Sequence, residues 1–183
     1  MANSVNMVIR DAVLDDVAGC LALDHRYETD HVWQMHIRQE EGWHITFRPE
    51  RLPRQLESQH IVDARRLEAA LTSQHCFVVA SDRDTGDLLG YLTMRLGSMP
   101  HLGHIFDFAV DEQARRCGLG SRLFSVAQNW ARERQIARLQ VAVQTTNYPA
   151  ILFLQSLGYT FCGFNEHHYP NRDIAVFFSQ AVR

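Results

Sequence analysis

A strand pattern, a glycine-rich turn and an amphipathic helix follow one another directly between residues 104 and 134. The strand is predicted over "HIFDFAV" (104–110), and the turn and helix begin within "ARRCGLGSRLF" (114–124). A further strand at 139–145 completes a β-α-β crossover, which joins parallel strands of one sheet. Apolar residues recur in the helix at the spacing of one face: Leu119, Leu123, Val126, Ala127, Trp130 and Ala131.

The remaining pattern predicts a single α/β domain over residues 1–183. Strands at 76–81 and 88–96 are expected to form a hairpin, because Asp-Thr-Gly-Asp between them is good turn chemistry. An early hairpin followed by the crossover implies a mixed sheet with helices on both faces. The other predicted elements are strands at 7–12, 43–47, 159–164 and 173–178, and helices at 14–24, from Thr29-Asp30 onward, at 63–74 and at 149–157.

Composition excludes several classes of protein. The net charge of -3 gives no electrostatic reason to expect a nucleic-acid partner. No apolar run approaches the ~20 residues that span a bilayer, and no secretory signal pattern opens the chain, so we expect a cytoplasmic protein without a membrane partner. The four cysteines lie far apart, which favours free buried thiols over a disulfide framework or a zinc site. His101-x-x-His104 and His167-His168 lack matching ligands, so no metal is expected.

The glycines of "ARRCGLGSRLF" are typical of a backbone that an anion approaches closely. A helix N-terminus exposes unpaired N–H groups and the positive end of its dipole, and phosphate is the natural guest. The dinucleotide-binding fingerprint fails because the third glycine position is Leu123, and the P-loop fails because the chain has no lysine. Arg115, Gly118 and Gly120 remain as an Arg-x-x-Gly-x-Gly motif. The alternative is a tight strand-to-helix turn flanked by solvated arginines.

Residues 104–159 resemble the core of the GNAT superfamily of acyl-CoA-dependent N-acyltransferases. "FDFAVDEQARRCGLGSRLF" is similar to that family's strand and pyrophosphate motif, and "NYPAILFLQSLGY" (147–159) to its next motif. The C-terminal "FNEHHYPNRDIAVFFSQ" resembles the ending of streptothricin acetyltransferases and related small-molecule acetyltransferases. The resemblance implies a mostly antiparallel central sheet of six to seven strands. In such a sheet, one strand pair, here 105–110 and 139–144, splays apart.

The resemblance also implies an acetyl-CoA site. Backbone N–H groups from Arg116 to Ser121 would bond the pyrophosphate, with added charge from the arginines. Strand residues would pair with the peptide-like pantetheine arm, and two residues of the next motif would hold its far side. The implied cofactor-binding residues are Phe108, Ala109, Val110, Arg115, Arg116, Cys117, Gly118, Leu119, Gly120, Ser121, Asn147 and Phe153.

Direct attack of an amine on the thioester requires a proton acceptor and a proton donor. Asp107 is the candidate base, because strand alternation places it beside Ile105 and Ala109, which should raise its pKa. The alternative is a carboxylate paired with an arginine. The family's usual tyrosine position holds Leu154, so Tyr169, His168 or water would protonate the thiolate. A nucleophilic Cys117 is disfavoured, because no base is evident beside it.

The acceptor site is expected within residues 24–47, where aromatic side chains and carboxylates suit a cationic amine. Tyr27, Asp30 and Trp33 are its candidate residues; in the alternative, Trp33 and its neighbours only pack a helix on the sheet. The expected function is acetyl-CoA-dependent N-acetylation of a small-molecule amine. A protein or peptide acceptor and a non-catalytic acyl-CoA sensor stay open as alternatives, and a homodimer is compatible with the sequence.

Overall fold

The computed structural model describes residues 6–72, 74–97, 99 and 101–182. A short 3-10 turn, Glu112–Ala114, precedes the third α-helix. The elements of the described chain are β1 (Met7–Asp11), α1 (Asp16–Ala22), β2 (Arg26–Gln39), β3 (Trp43–Gln59), α2 (Ala64–Ala69), β4 (Cys76–Asp82), β5 (Leu88–Leu96), β6 (Leu102–Val110), α3 (Leu119–Glu133), β7 (Arg138–Gln144), α4 (Tyr148–Ser156), β8 (Thr160–Asn165) and β9 (Ala175–Ala181).

Seven strands form one sheet in the order β1-β4-β5-β6-β7-β9-β8, and β2 and β3 form a separate two-stranded sheet. Pairing is antiparallel between β1 and β4, β4 and β5, β5 and β6, and β8 and β9. It is parallel between β6 and β7, which α3 connects as the crossover helix. The predicted mixed, mostly antiparallel sheet is therefore confirmed.

The chain divides into two compact units, the first of which comprises the described parts of 1–25, 60–141 and 180–183. Its core joins α1 and α2 to β4, β5 and β6 through buried apolar side chains. On α3, the predicted apolar face is buried at Leu119, Leu123, Ala127 and Ala131. The core residues are Val17, Cys20, Leu23, Leu67, Ala70, Phe77, Val79, Tyr91 and Ala109.

The second unit comprises residues 26–59 and 142–179 and contains the long β2–β3 hairpin. The helix predicted from Thr29-Asp30 is wrong, because these residues belong to β2. Trp33, Met35 and Ile37 recur at every second position and pair with β3, which is the periodicity of a strand. Trp33 packs against the rings of Phe47 and Phe178, at centroid distances of 6.0 and 5.6 Å.

Two predicted helices are shorter in the structure. The helix predicted at 14–24 is formed at Asp16–Ala22, and the one at 63–74 ends at Ala69. After α2 the chain turns, with the His75 N–H donating to the Thr72 carbonyl, and residue 73 lies outside the described residues. The single domain predicted over 1–183 stays a prediction.

The cysteines are free thiols, and Cys20 and Cys76 are buried as predicted. The predicted burial is wrong for Cys162, which is exposed, and Cys117 is only half-buried. Burial raises the pKa of the Cys20 and Cys76 thiols to about 12. Among the described residues, no group of three His, Cys, Asp or Glu side chains lies close enough to hold a metal ion. In the same part of the chain, no helix has the length and apolar character needed to cross a bilayer.

Candidate active site

The turn from β6 into α3 leaves the start of the helix open. Gly118 is the N-cap in the left-handed conformation, with φ of 85°, which a glycine adopts without strain. It offers no capping side chain, and no acidic residue lies in the first helical turn. A Cβ built on Gly118 would meet nothing within 4 Å. The 15-residue helix thus begins without a capping side chain or an acid, and its first amides are the groups that bind anions at helix starts.

Arg115 ties this turn to neighbouring backbone. Its Nε donates to the Val110 carbonyl at 3.0 Å, and its Nη2 donates to the Asp24 carbonyl at 2.9 Å. Arg116 is exposed and has a positive φ of 62°. Arg115 thus shapes the turn, while Arg116 presents its side chain to solvent beside the open helix start.

The Cys117 thiol is a hydrogen-bond donor within the same turn. Its Sγ lies 2.7 Å from the carbonyl oxygen of Ala114, three residues earlier. The thiol hydrogen is therefore directed at a carbonyl oxygen, whereas a nucleophilic cysteine has a base as its partner. The contact agrees with a structural role for Cys117.

The parallel ladder between β6 and β7 is short. It runs from Leu102 and Arg138 to Ile105 and Val141, whereas β6 continues to Val110 and stays paired with β5 up to Gly90. Directly after Ile105, β6 carries an extra residue, because Thr93 pairs with Asp107 and Met94 with Ile105. The ladder therefore ends next to a bulge centred on Phe106, and the predicted splay beyond this point stays a prediction.

Asp107 is 1% exposed and surrounded by donors. Arg66 Nε lies 3.0 Å from Oδ2 and Nη2 lies 2.5 Å from Oδ1. His60 Nε2 lies 3.2 Å from Oδ1, and the Thr93 hydroxyl donates to Oδ2 at 3.3 Å. Burial alone would raise the pKa of Asp107, but the hydrogen bond from His60 and the charge of Arg66 outweigh it and lower that pKa. The predicted raised pKa is wrong, and the alternative of an arginine-paired carboxylate is correct.

His25 directly precedes the β2–β3 hairpin and His60 directly follows it, and the two residues are hydrogen-bonded near this carboxylate. The backbone N–H of His60 donates to the backbone carbonyl of His25 at 3.1 Å. His25 is buried, and its Nε2 lies 3.1 Å from the Tyr91 hydroxyl oxygen. Burial lowers the pKa of the His25 imidazole and raises that of the Tyr91 phenol. A polar cluster of His25, His60, Arg66, Tyr91 and Asp107 thus lies within the first unit.

In the second unit, the residues predicted to hold the cofactor lie on α4. Asn147 is the N-cap, and its side-chain oxygen accepts a hydrogen bond from the Ala150 N–H at 3.2 Å. Phe153 is half-buried on the same helix, and Leu154 is buried. Asn147 therefore has a capping role in addition to the one predicted for it.

The predicted acceptor residues have different surroundings. The Tyr27 hydroxyl lies 3.2 Å from the Thr146 hydroxyl, whereas Asp30 is exposed and lies 2.7 Å from the Nδ1 of His31. Trp33 packs with Phe47 and Phe178 in what we call the aromatic cluster. Tyr169 is half-buried, and burial raises its pKa, with Tyr27 and Asp173 adding to the effect. Tyr27 thus has a polar partner and Asp30 is exposed, while Trp33 belongs to a packing cluster.

The family profile described as Acetyltransferase (GNAT) family matches residues 40–159, which include the open helix start and the bulged strand. The chain belongs to the GNAT acetyltransferase family. It is accordingly an N-acetyltransferase by family, and the fold of the seven-stranded sheet is the GNAT fold.

Solved GNAT structures match nearly the whole chain. A nourseothricin acetyltransferase is 25% identical, with a TM-score of 0.84, and the match covers 97% of this chain and 99% of that one. A candidate streptothricin acetyltransferase from Bacillus anthracis str. Ames, in complex with acetyl coenzyme A, is 18% identical, with a TM-score of 0.78 and the same two coverages.

One curated relative is a mycothiol acetyltransferase from Acidothermus cellulolyticus. It is 30% identical over 113 residues, which are 54% of this chain and 34% of the relative. The chain thus spans about a third of the length of the curated relative it matches.

The GNAT motifs include β6 and α3, but they do not include His60 and Arg66, the partners of Asp107. Arg66 and His60 lie 41 and 47 residues before Asp107, in a region where the predicted elements were partly wrong. The available signal was the acid itself, since a buried carboxylate requires cationic or polar partners. No spacing rule shows which of the 18 arginines supplies them.

Proposed function

We propose that this GNAT protein transfers an acetyl group from acetyl-CoA to the primary amine of a small molecule by direct attack on the thioester. The observation that carries the proposal is the open N-terminus of α3, with Gly118 at its cap and no acid in its first turn. A pyrophosphate is the kind of anion that such a start accommodates.

The proposed cofactor contacts follow the backbone around this start. The N–H groups from Arg116 to Ser121 bond the pyrophosphate, and the Arg116 guanidinium adds positive charge. Phe108, Ala109 and Val110 offer backbone to the pantetheine arm, beyond the point where the β6–β7 ladder ends. Asn147 and Phe153 remain proposed contacts of the arm.

Direct attack is favoured over an acetyl-cysteine intermediate, because the Cys117 thiol donates to the Ala114 carbonyl. The leaving thiolate needs a proton, for which Tyr169 is the proposed donor. The raised pKa of its phenol keeps it protonated at neutral pH, but it also makes proton transfer less favourable, so water competes for this role.

A small cationic acceptor is supported by the full-length structural match to a nourseothricin acetyltransferase. Asp30 is the proposed attracting charge, because its carboxylate is exposed and the hydrogen bond from His31 lowers its pKa, keeping it ionised. Tyr27 is proposed to contribute its ring and hydroxyl. We assign Trp33 to packing of the aromatic cluster rather than to the acceptor.

Thiol release from acetyl-CoA tests the proposal with a panel of acceptors: nourseothricin, polyamines, amino acids and peptides with free N-termini. Turnover with a small amine and none with peptides is expected. Preferred turnover of peptides would favour a protein acetyltransferase, and acetyl-CoA binding without any release would favour a sensor. Because the chain has no lysine, acetylation of its own lysine side chains cannot contribute to the signal.

A further inference from the structure

We propose that His60 is the general base of this acetyl transfer and that Asp107 and Arg66 are its positioning residues. The inference rests on the proposed function and deepens it by naming the group that removes the proton from the acceptor ammonium. It replaces the sequence-based assignment of that role to Asp107.

The hydrogen-bond partners of Asp107 prevent its carboxylate from acting as the base. Each carboxylate oxygen already accepts two hydrogen bonds, Oδ1 from Arg66 and His60 and Oδ2 from Arg66 and Thr93. The side chain is 1% exposed, so an ammonium group cannot reach either oxygen without displacing a partner. A carboxylate that is ionised and held by four donors is a fixed negative charge rather than a proton acceptor.

His60, in contrast to Asp107, is partly exposed and has a ring nitrogen available to accept a proton. Its side chain is 34% exposed, and its Nε2 lies 3.2 Å from Asp107 Oδ1. Because the ionised carboxylate can only accept, Nε2 must carry the hydrogen, and a neutral ring then has its lone pair on Nδ1. Among the described residues, Nδ1 has no hydrogen-bond partner. Histidine is the residue type that most readily exchanges a proton near neutral pH.

The His60 ring contacts Asp107, and two further hydrogen bonds fix the backbone on either side of it. The backbone N–H of His60 donates to the backbone carbonyl of His25 at 3.1 Å. Arg66 Nη2 donates both to Asp107 and to the Ile61 carbonyl, 2.5 and 3.1 Å away, which ties the segment after His60 to α2. The carboxylate orients the imidazole as in an Asp–His pair, where it fixes the tautomer.

The charged and titratable groups around His60 come from several elements. Asp107 lies on β6 and Arg66 on α2, while His25 precedes β2 and faces Tyr91 of β5. Asp107 also directly precedes Phe108, the first residue proposed to contact the pantetheine arm. A single hydrogen bond, from His60 to Asp107, therefore links the proposed base to β6, the strand proposed to contact the pantetheine arm.

Nδ1 of His60 takes one proton from the acceptor ammonium, and the nitrogen lone pair forms a bond to the thioester carbonyl carbon as the carbon–sulfur bond breaks. The second amine proton goes to the leaving thiolate through the proposed donor or water. The protonated His60 then releases its proton to solvent.

The experiment compares His60→Ala and His60→Gln with the full-length wild type, using thiol release and the thermal shift caused by acetyl-CoA. We expect kcat to fall by about 10²–10⁴-fold, the usual scale of general-base catalysis, with the acetyl-CoA shift retained. Added imidazole should partly restore the kcat of His60→Ala. The loss of kcat should be smaller with an acceptor amine of low pKa, because such an amine is already neutral. His36→Ala, an exposed histidine paired with Glu50 on the hairpin, is the matched control and should stay at the wild-type rate.

Wild-type turnover in His60→Ala would overturn the inference. So would a kcat loss in the folded His60→Gln variant together with no imidazole rescue of His60→Ala, since that result would mean a structural role. A wild-type protein that releases no thiol with any amine would instead contradict the proposed function itself, so the two failures are distinguishable.

Discussion

Arg66 donates two hydrogen bonds from one guanidinium to the Asp107 carboxylate, with Nε 3.0 Å from Oδ2 and Nη2 2.5 Å from Oδ1. The carboxylate is 1% exposed, so the pair is shielded from water on the acid's side. The pKa of Asp107 is lowered in the folded protein. The ionised carboxylate therefore contributes its full stabilisation of the folded state at pH values above the ordinary aspartate pKa of about 3.9. That effect is lost as the pH falls through the lower pKa of the folded state.

Asp107→Asn should therefore destabilise the protein in a pH-dependent way. We expect its free energy of unfolding near pH 7 to be lower by about 1–3 kcal/mol, because Arg66 loses its charged partner and buried groups are left poorly satisfied. The gap to wild type should narrow below about pH 4, where protonation removes the same charge from the wild type.

Thermal unfolding from pH 3 to 8 provides the measurement, with the exposed Asp84→Asn as the control expected to change little. A gap that stays constant over this range would argue against the ion pair as its source.

Cys117→Ala should keep turnover within a few-fold of wild type. The substitution removes only the thiol that donates to the Ala114 carbonyl, while the backbone N–H of residue 117 remains. Mass spectrometry of the wild type during turnover should show no acetyl group on Cys117. A kinetically competent acetyl-cysteine, or loss of activity in the alanine variant, would point to a covalent route instead.

Trp33→Ala should lower stability rather than acceptor affinity. Trp33 packs on Phe47 and Phe178, and truncating an aromatic residue in such a cluster costs about 3–5 kcal/mol, here toward the low end because the side chain is half-buried. Trp43→Ala on the same hairpin is the matched control, since Trp43 is 68% exposed. If Trp33→Phe kept its stability but raised KM, Trp33 would belong to the acceptor site after all.

Local sequence patterns predicted the part of the fold where sequence neighbours are also spatial neighbours. The β4–β5 hairpin and the crossover through α3 depend on turn chemistry and periodicity within about 30 residues. The β2 strand was missed because aromatic and charged residues at 26–39 fit either period, and its pairing with β3 decides between them.

For the candidate site, sequence patterns mark only the residues that a local motif encodes. Gly118 and Gly120 mark the helix start by spacing alone. The Asp107 environment depends on Arg66 and His60, which reach the carboxylate through the fold and not through any local pattern. The apolar neighbours Ile105 and Ala109 suggested a raised pKa, but long-range hydrogen bonds and charge reversed the direction.

Titration of acetyl-CoA into wild type and Gly120→Asp tests the central claim, that the start of α3 holds the cofactor's pyrophosphate. An acidic residue in the first helical turn interacts favourably with the helix dipole, so its charge does not disfavour the fold, but it repels a pyrophosphate. Gly42→Asp, in the β2–β3 turn where an added Cβ meets nothing within 4 Å, is the matched control. We predict that wild type and Gly42→Asp bind acetyl-CoA and gain thermal stability from it, while folded Gly120→Asp does neither. Undiminished binding by folded Gly120→Asp would contradict the account.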